Sequence, residues 1–466
     1  MDTNLLLDTD SYKLSHWLQY PPDLTGMGAY LESRGGENGA TLFFGLQMIL
    51  DELFCNPLTQ ADVDEAKKIY TLHGVPFNEA GWERVIAVHG GWLPLRIRAV
   101  PEGSRVPIGN VLLTVEATDP QLSWLVGWVE TALLRVWYPT TVATRSWAMR
   151  QVILDGLERS CDNPEAELPY RLHDFGSRGV SSRRSAAIGG LAHLVVFRGT
   201  DTTAALVAGR RHYGCAMAGH SIPAAEHATI LAWGREHEVL AYRNMLDRFA
   251  RPGSVLAVVS DTYDIWNAVE RLWGEELREQ VVASGATVVI RPDSGDPLVM
   301  APDLLRRLET RFGSEVNNKG YRVLRHVRLI WGDGLNTHNL PQLVAVILEA
   351  GFSLENVAFG MGGGLLQQVD RDVQRFVYKV SWVERGGVIQ QVCKSPVSDL
   401  SKRSKAGALD LVQDSDGYRT VVRERPGQYA DSVLQTVYEN GHRPEPVSLE
   451  AVRERAQFMP KLDEVV

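Results

Sequence analysis

The 466-residue chain holds only four cysteines, Cys55, Cys161, Cys215 and Cys393, and none of them forms a CxxC pair. That scatter argues against a thiolate metal site or a disulfide framework and fits a reducing cytoplasm. Long apolar runs are also missing, since no stretch approaches the roughly 20 residues that span a bilayer. The opening Met1-Asp2-Thr3-Asn4-Leu5 lacks the basic-then-apolar pattern of a secretory leader, so no membrane association is expected. Positive charge is in deficit, with 48 Lys and Arg against 57 Asp and Glu and a net charge of −9. Nucleic acid is therefore not expected as the main partner. An anionic small molecule is not excluded, because the local placement of Arg and Lys decides that. Repeats and low-complexity tracts are absent as well.

What the chain does have is a series of short apolar runs that end in Gly, Asp and Arg. Val288-Val289-Ile290 leads into Arg291-Pro292-Asp293-Ser294-Gly295-Asp296, and Leu329-Ile330-Trp331 into Gly332-Asp333-Gly334. Asn356-Val357-Ala358-Phe359 leads into Gly360-Met361-Gly362-Gly363-Gly364. Such runs mark strands buried on both faces. Their loops are suited to phosphate, ribose or metal, since glycine lets backbone N–H groups close on phosphate oxygens and aspartate takes hydroxyls or Mg²⁺. In α/β barrels function sits on the loops at the carboxyl ends of the strands. Three such loops point to a phosphorylated sugar.

Strand candidates over 172–175, 194–197, 255–259, 288–290, 329–330 and 357–359 alternate with helical stretches, the texture of a barrel. Before them, 95–98 and 111–115 read as antiparallel strands, and 122–157 as one long, largely buried helix carrying Trp124, Trp128 and Trp137. After Arg371, the runs 376–383 and 388–392 flank Gly386-Gly387, a hairpin turn. The expected fold class is α/β: an irregular TIM-like barrel over 151–371, with a β-rich α+β domain formed by 1–150 together with 372–466.

Several side chains are candidates for chemistry. His227, in Ser221-Ile222-Pro223-Ala224-Ala225-Glu226-His227, could serve as base, acid or phosphoryl acceptor, with Asp261 orienting a ring nitrogen. A lone histidine is more often structural. Phe175, in His173-Asp174-Phe175-Gly176-Ser177-Arg178, is either core packing or a platform for a flat ring, and Arg178 either a surface charge or a diphosphate ligand. Asp201 reads most simply as a helix N-cap. Four glycines in five residues over 360–364 favour phosphate binding, because each costs chain entropy. Arg371, Lys379, Lys394, Lys402, Arg403 and Lys405 could together bind a polyanion, although singly each reads as solvated surface.

These motifs, taken in order, resemble the nicotinamide phosphoribosyltransferase family almost end to end. The resemblance is carried by Asp8-Thr9-Asp10-Ser11-Tyr12-Lys13, His173-Asp174-Phe175-Gly176, Arg198-Gly199-Thr200-Asp201, Pro223-Ala224-Ala225-Glu226-His227 and Ser260-Asp261-Thr262-Tyr263-Asp264. It continues through Arg291-Pro292-Asp293-Ser294-Gly295, Gly332-Asp333-Gly334, Gly362-Gly363-Gly364-Leu365-Leu366-Gln367 and Lys402-Arg403-Ser404-Lys405. It implies transfer of phosphoribosyl from phosphoribosyl pyrophosphate to nicotinamide, Mg²⁺, a homodimer, and ATP hydrolysis coupled through a phosphorylated His227 partnered by Asp261. It also implies that Arg178, His227 and Arg291 contact diphosphate. Asp201, Arg291, Gly332, Asp333, Gly363 and Arg371 would contact the nucleotide, with Gly362 in the same phosphate loop. Phe175 and a Tyr12 from the other subunit would sandwich the pyridine, and Arg34, Lys379 and Lys394 would lie near phosphates. Asp293 would stand beside ribose and Mg²⁺. Ser177, Ala257 and Val377 depart from the vertebrate members. Two alternatives stay open: nicotinate phosphoribosyltransferase, which an Asp201 carboxylate disfavours by repelling a pyridine carboxylate, and a barrel lyase or isomerase acting on a phosphosugar, which would need a strand-end Lys or paired carboxylates.

Overall fold

A computed structural model describes residues 4–398, 403–415 and 417–457; Lys402 lies outside them. The chain divides into two units, Met1–Thr144, His212–Gly214 and Asp370–Val466 in one, Arg145–Arg211 and Cys215–Val369 in the other. No helix among the described residues is long and apolar enough to cross a membrane.

The second unit is a parallel barrel. Its strands are β1 (Leu172–Asp174), β2 (Gly199–Thr200), β3 (Val255–Val259), β4 (Thr287–Arg291), β5 (Val327–Trp331) and β6 (Val357–Met361), in the order β2-β1-β6-β5-β4-β3. Every neighbouring pair is parallel. The segment 219–225 closes the ring between the two edges. His220 donates its amide to Arg198 O at 2.7 Å and accepts from Thr200 N at 3.1 Å, while Ala257 N reaches Pro223 O and Ala225 N reaches Ala257 O, both at 2.9 Å. Proline and four small residues hide this bridging segment, which forms no strand of its own, from a propensity reading. Alternation along the strands fills the interior with Ala257, Val289 and Ile330, against which Phe175, Ile222 and Ala358 pack. This is the layered core of a filled barrel rather than a pore.

The strand expected over 194–197 is absent. Helix Arg183–His193 ends there, and the barrel strand is the two-residue β2 that follows. Leu194, Val195 and Phe197 of its apolar run are buried in the turn that follows that helix, and an apolar run of four does not distinguish strand from turn. The helix expected over 122–157 is broken into Leu125–Trp128, Glu130–Leu134 and Trp137–Ser160.

The first unit is built on a six-stranded antiparallel sheet in the order Val388–Gln391, Phe376–Arg385, Leu24–Ser33, Val111–Ala117, Leu95–Ala99, Gln435–Glu439. Gly386 and Gly387, with φ of +55° and +77°, make the hairpin turn that β-branched residues would resist. Trp82, Trp124 and Trp128 meet edge to face in this unit's core.

Candidate active site

The carboxyl ends of the barrel strands carry a compact group of charged side chains. His227 opens the helix His227–Leu231, whose N-cap is Glu226. Its Nδ1 lies 3.2 Å from Thr262 Oγ1. Its Nε2 faces two carboxylates, Asp293 at 3.4 Å and Asp261 at 3.8 Å. Asp261 therefore stands beyond hydrogen-bond length from the imidazole. Its Oδ2 instead accepts from Asp293 N at 2.9 Å and Ser294 Oγ at 2.6 Å, which ties the loop after β4 to the loop after β3. Its Oδ1 is buried and without a hydrogen-bond partner, and so is Arg291 Nε. The Arg291 guanidinium lies 3.7 Å from Asp293.

Two orphaned buried polar atoms of opposite sign, beside a half-exposed imidazole, leave hydrogen-bonding capacity that no side chain uses. Ser260, adjoining Asp261, is itself held by Trp273 Nε1 at 3.1 Å. Trp273 lies in the π-helix Ala268–Glu276 and stacks on Tyr242 at 4.7 Å.

Phe175 follows β1, its amide bonded to Met361 O at 3.0 Å. The ring lies across the ends of β6 and β5. A Cβ built on Gly360 would sit 2.0 Å from Phe175 Cε2, and one on Gly332 3.4 Å from the same ring. Gly360 is thus a packing glycine, contrary to the expectation that the whole 360–364 run serves phosphate. Gly364 is another, since a Cβ there would meet Leu335 O at 2.7 Å. Gly363 faces open space, with nothing within 4 Å of its Cβ direction. Gly362 has only Phe175 O in range, at 3.6 Å. Packing therefore demands glycine at 360 and 364, and leaves 362 and 363 for another reason.

The loop that carries Phe175 is anchored from below. Asp174 is buried; its Oδ1 accepts from Gly176 N at 2.7 Å and its Oδ2 from Thr200 Oγ1 at 3.2 Å. Burial pushes its carboxyl pKa up and that of the neighbouring His173 down. Arg178 is largely exposed, 3.9 Å from Glu226. The exposed Asp201 accepts from Ser221 Oγ at 2.5 Å. Asp333 is exposed, its carbonyl accepting from Trp331 Nε1 at 2.9 Å. Thr262, Ser221 and Glu226 do not stand out in the sequence, because a hydroxyl or carboxylate in a loop gains its role only from the contact it makes.

The remaining candidates belong to the sheet unit. Arg34 pairs with the buried Glu32 at 2.8 Å, and Lys405 also pairs with Glu32. Burial lowers the Lys379 pKa, and Arg34, Lys394 and Arg371 add like-charge repulsion against the opposing pull of Glu130. Arg34, Lys394 and Arg371 are thus near enough to Lys379 to act on it. Arg371 itself pairs with Asp372 at 3.1 Å. Tyr12 is exposed on the short helix Ser11–Leu18, its ring 5.2 Å from His16. The structure groups these residues within the sheet unit and His227, Asp261, Asp293 and Arg291 within the barrel.

Residues 170–442 match the nicotinate phosphoribosyltransferase (NAPRTase) family, and residues 4–97 match the nicotinamide phosphoribosyltransferase N-terminal domain. The chain belongs to the nicotinate phosphoribosyltransferase family. It is 55% identical over 458 residues to a Xanthomonas campestris protein named nicotinamide phosphoribosyltransferase, covering 97% of this chain and 98% of that one. A protein of the same name from Mycoplasma pneumoniae is 30% identical over 87% of this chain and 95% of its own. Among solved structures, human nicotinic acid phosphoribosyltransferase superposes with a TM-score of 0.60 at 20% identity, covering 97% of this chain and 93% of that one. That likeness carries the fold alone. The chain is accordingly an enzyme of phosphoribosyl transfer, and the barrel lyase alternative is set aside.

Proposed function

We propose that the enzyme condenses nicotinamide with phosphoribosyl pyrophosphate to give nicotinamide mononucleotide and pyrophosphate, in NAD salvage, and prefers the amide to the acid. The observation that carries the reading is the near full-length identity to the Xanthomonas protein of that name. Asp201 supports it: an exposed carboxylate fixed by Ser221 can accept a carboxamide N–H and repels a carboxylate. The pyridine nitrogen attacks the anomeric carbon, and the bond to pyrophosphate breaks with its electron pair leaving on oxygen. Such an oxocarbenium-like displacement asks the protein for positioning and charge rather than covalent work. Phe175 would hold the pyridine face, Arg178 and Arg291 the diphosphate, and Asp333 with Gly332 the nucleotide. Gly362 and Gly363 would let backbone amides approach the 5′-phosphate. Arg34, Arg371, Lys379 and Lys394 would attract the phosphates.

Mg²⁺ fits the donor set. No group of three or more His, Cys, Asp or Glu of metal-binding arrangement occurs among the described residues. Mg²⁺, however, commonly takes one or two carboxylates and fills its shell with water and substrate phosphates. Asp293 and the unpartnered Oδ1 of Asp261 would hold it, and when bound it supplies neutralisation of the diphosphate charge. ATP would phosphorylate His227. With Nδ1–H held by Thr262 Oγ1, Nε2 would attack the γ-phosphorus with its lone pair, the bond from that phosphorus to the bridging oxygen would break with its electron pair leaving on ADP, and the ring proton would be lost from Nδ1 on the Thr262 side. Phosphorylation would then change the affinity for the donor between two states.

Two variants test the reading. Asp201→Asn should lower amide specificity about ten- to a hundredfold and relax rejection of nicotinate, the scale of one lost charge-assisted hydrogen bond; unchanged discrimination contradicts the assignment. His227→Ala should abolish ATP hydrolysis and leave slow ATP-independent transfer. Acid-labile, base-stable radiolabel from γ-phosphate on that variant would locate the phosphohistidine elsewhere.

A further inference from the structure

We propose that Arg145 is a positioning residue that sets affinity for the phosphoribosyl donor by clamping the glycine loop from its buried side. The inference rests on the reading that this loop contacts the donor phosphate.

Arg145 lies in the helix Trp137–Ser160 and is 6% exposed. Its Nη1 donates to Gln368 O at 2.7 Å and, more weakly, to Gly364 O at 3.5 Å. Gly364 lies within the single helical turn Gly363–Leu366, and Gln368 just beyond its end. One turn is not stable alone, because nucleation fixes several dihedrals for one hydrogen bond, and glycine raises that cost. The loop therefore needs outside contacts.

Within the turn, Gly362 O accepts from Leu365 N at 3.0 Å, and Gly363 O from Gln367 N at 2.9 Å and Gln368 N at 2.8 Å. Gln367 Oε1 accepts from Ser181 N at 3.0 Å, which ties the turn to the loop after β1. A Cβ on Gly179 would lie 3.3 Å from Gly363 N, so the two glycines lie close together with little room for a side chain between them. Arg145 supplies the cationic fixing point on the other side. It holds one carbonyl within the turn, at Gly364, and one just past its end, at Gln368, while the turn begins at Gly363, where the surface is open.

A nine-tenths-buried guanidinium also adds fixed positive charge near a site for a polyanion, where solvent screens it little. The clamp and the charge can be separated. Arg145→Lys keeps the charge and loses the planar fork; Arg145→Gln loses both.

The test measures KM for each substrate, kcat and thermal midpoint in Arg145→Lys, Arg145→Gln and Gly363→Val. Arg145→Lys should raise the KM for phosphoribosyl pyrophosphate about threefold or more, and Arg145→Gln about tenfold or more, the scale of one charge-assisted hydrogen bond. The KM for nicotinamide should stay within about twofold of wild type, a split that a general loss of folded protein does not produce. Donor KM unchanged in both variants overturns the proposal, as does an equal rise in both KM values with a lowered midpoint. If Arg145→Gln does not fold, Arg145→Lys alone decides by the same criterion. Gly363→Val separates this proposal from its premise: an unchanged donor KM there removes the loop from phosphate binding, whereas a raised donor KM there with none in the Arg145 variants removes only Arg145.

Discussion

Replacing Gly360 with alanine should displace the aromatic platform without touching any charged residue of the site. The new Cβ would lie 2.0 Å from Phe175 Cε2, 2.4 Å from Cδ2 and 3.0 Å from Cζ. Contacts that short do not occur between carbon atoms, so either the strand or the ring must move. The strand is held on both sides, Phe359 against Trp331 and Gly360 against His173. The ring is held only by packing and by the Phe175 amide, so the ring yields. Overpacking of this kind costs about 1–3 kcal/mol, or roughly 2–12 °C in the midpoint of a barrel of this size. Loss of a well-placed aromatic face is worth about 0.5–1.5 kcal/mol beyond buried area, so the KM for nicotinamide should rise about two- to tenfold while the donor KM holds. Adding Phe175→Leu to Gly360→Ala should recover part of the midpoint and none of the nicotinamide affinity, a coupling that a double-mutant cycle reads directly. Calorimetry and steady-state kinetics on the four proteins suffice. A Gly360→Ala enzyme with native midpoint and native nicotinamide KM would refute the reasoning.

Two further outcomes are expected. Tyr12→Ala and His227→Ala proteins, each nearly inactive, should regain about a quarter of wild-type sites when co-refolded, since random pairing makes about half the dimers mixed and each mixed dimer has one intact shared site; no gain, with mixed dimers confirmed, would mean that Tyr12 does not cross between subunits. His193 is fully buried, its Nδ1 2.9 Å from Ser146 Oγ and its Nε2 3.2 Å from Leu172 O, and burial lowers its pKa from 6.5 to about 3. Between those values the unfolded chain binds a proton that the folded chain does not, so stability is lost as pH falls through that window, at up to about 1.4 kcal/mol per pH unit. His193→Gln should flatten that acid limb in denaturant titrations, and an unaltered slope would remove His193 as its cause.

Much of the barrel is legible because β3, β4, β5 and β6 are continuous apolar runs ending in Gly and Asp, a pattern that two-sided burial imposes. The strand Leu24–Ser33, central to the other sheet, is not legible. Its Gly26 and Gly28 break the pattern, and they are there because Glu384 and Trp382 lie over them, Trp382 Nε1 only 2.0 Å from where a Cβ on Gly28 would be. The ring-closing segment 219–225 is hidden for a related reason: Gly219 and Pro223 suit its contacts and not a strand propensity. In the site, residue types announced His227, Asp261, Asp293 and Arg291. The pairing among them was not announced, since Asp261 accepts from the Asp293–Ser294 turn and Thr262 takes the imidazole Nδ1. Which glycines serve packing also required coordinates, because Gly360 and Gly363 are identical on paper and differ only in what stands over them.

The most direct test of the central claim is product analysis of the wild-type enzyme with phosphoribosyl pyrophosphate, Mg²⁺ and ATP, given nicotinamide and nicotinate in parallel incubations. The account predicts nicotinamide mononucleotide and pyrophosphate from the amide, with little or no nicotinate mononucleotide from the acid. Faster formation of nicotinate mononucleotide would contradict it.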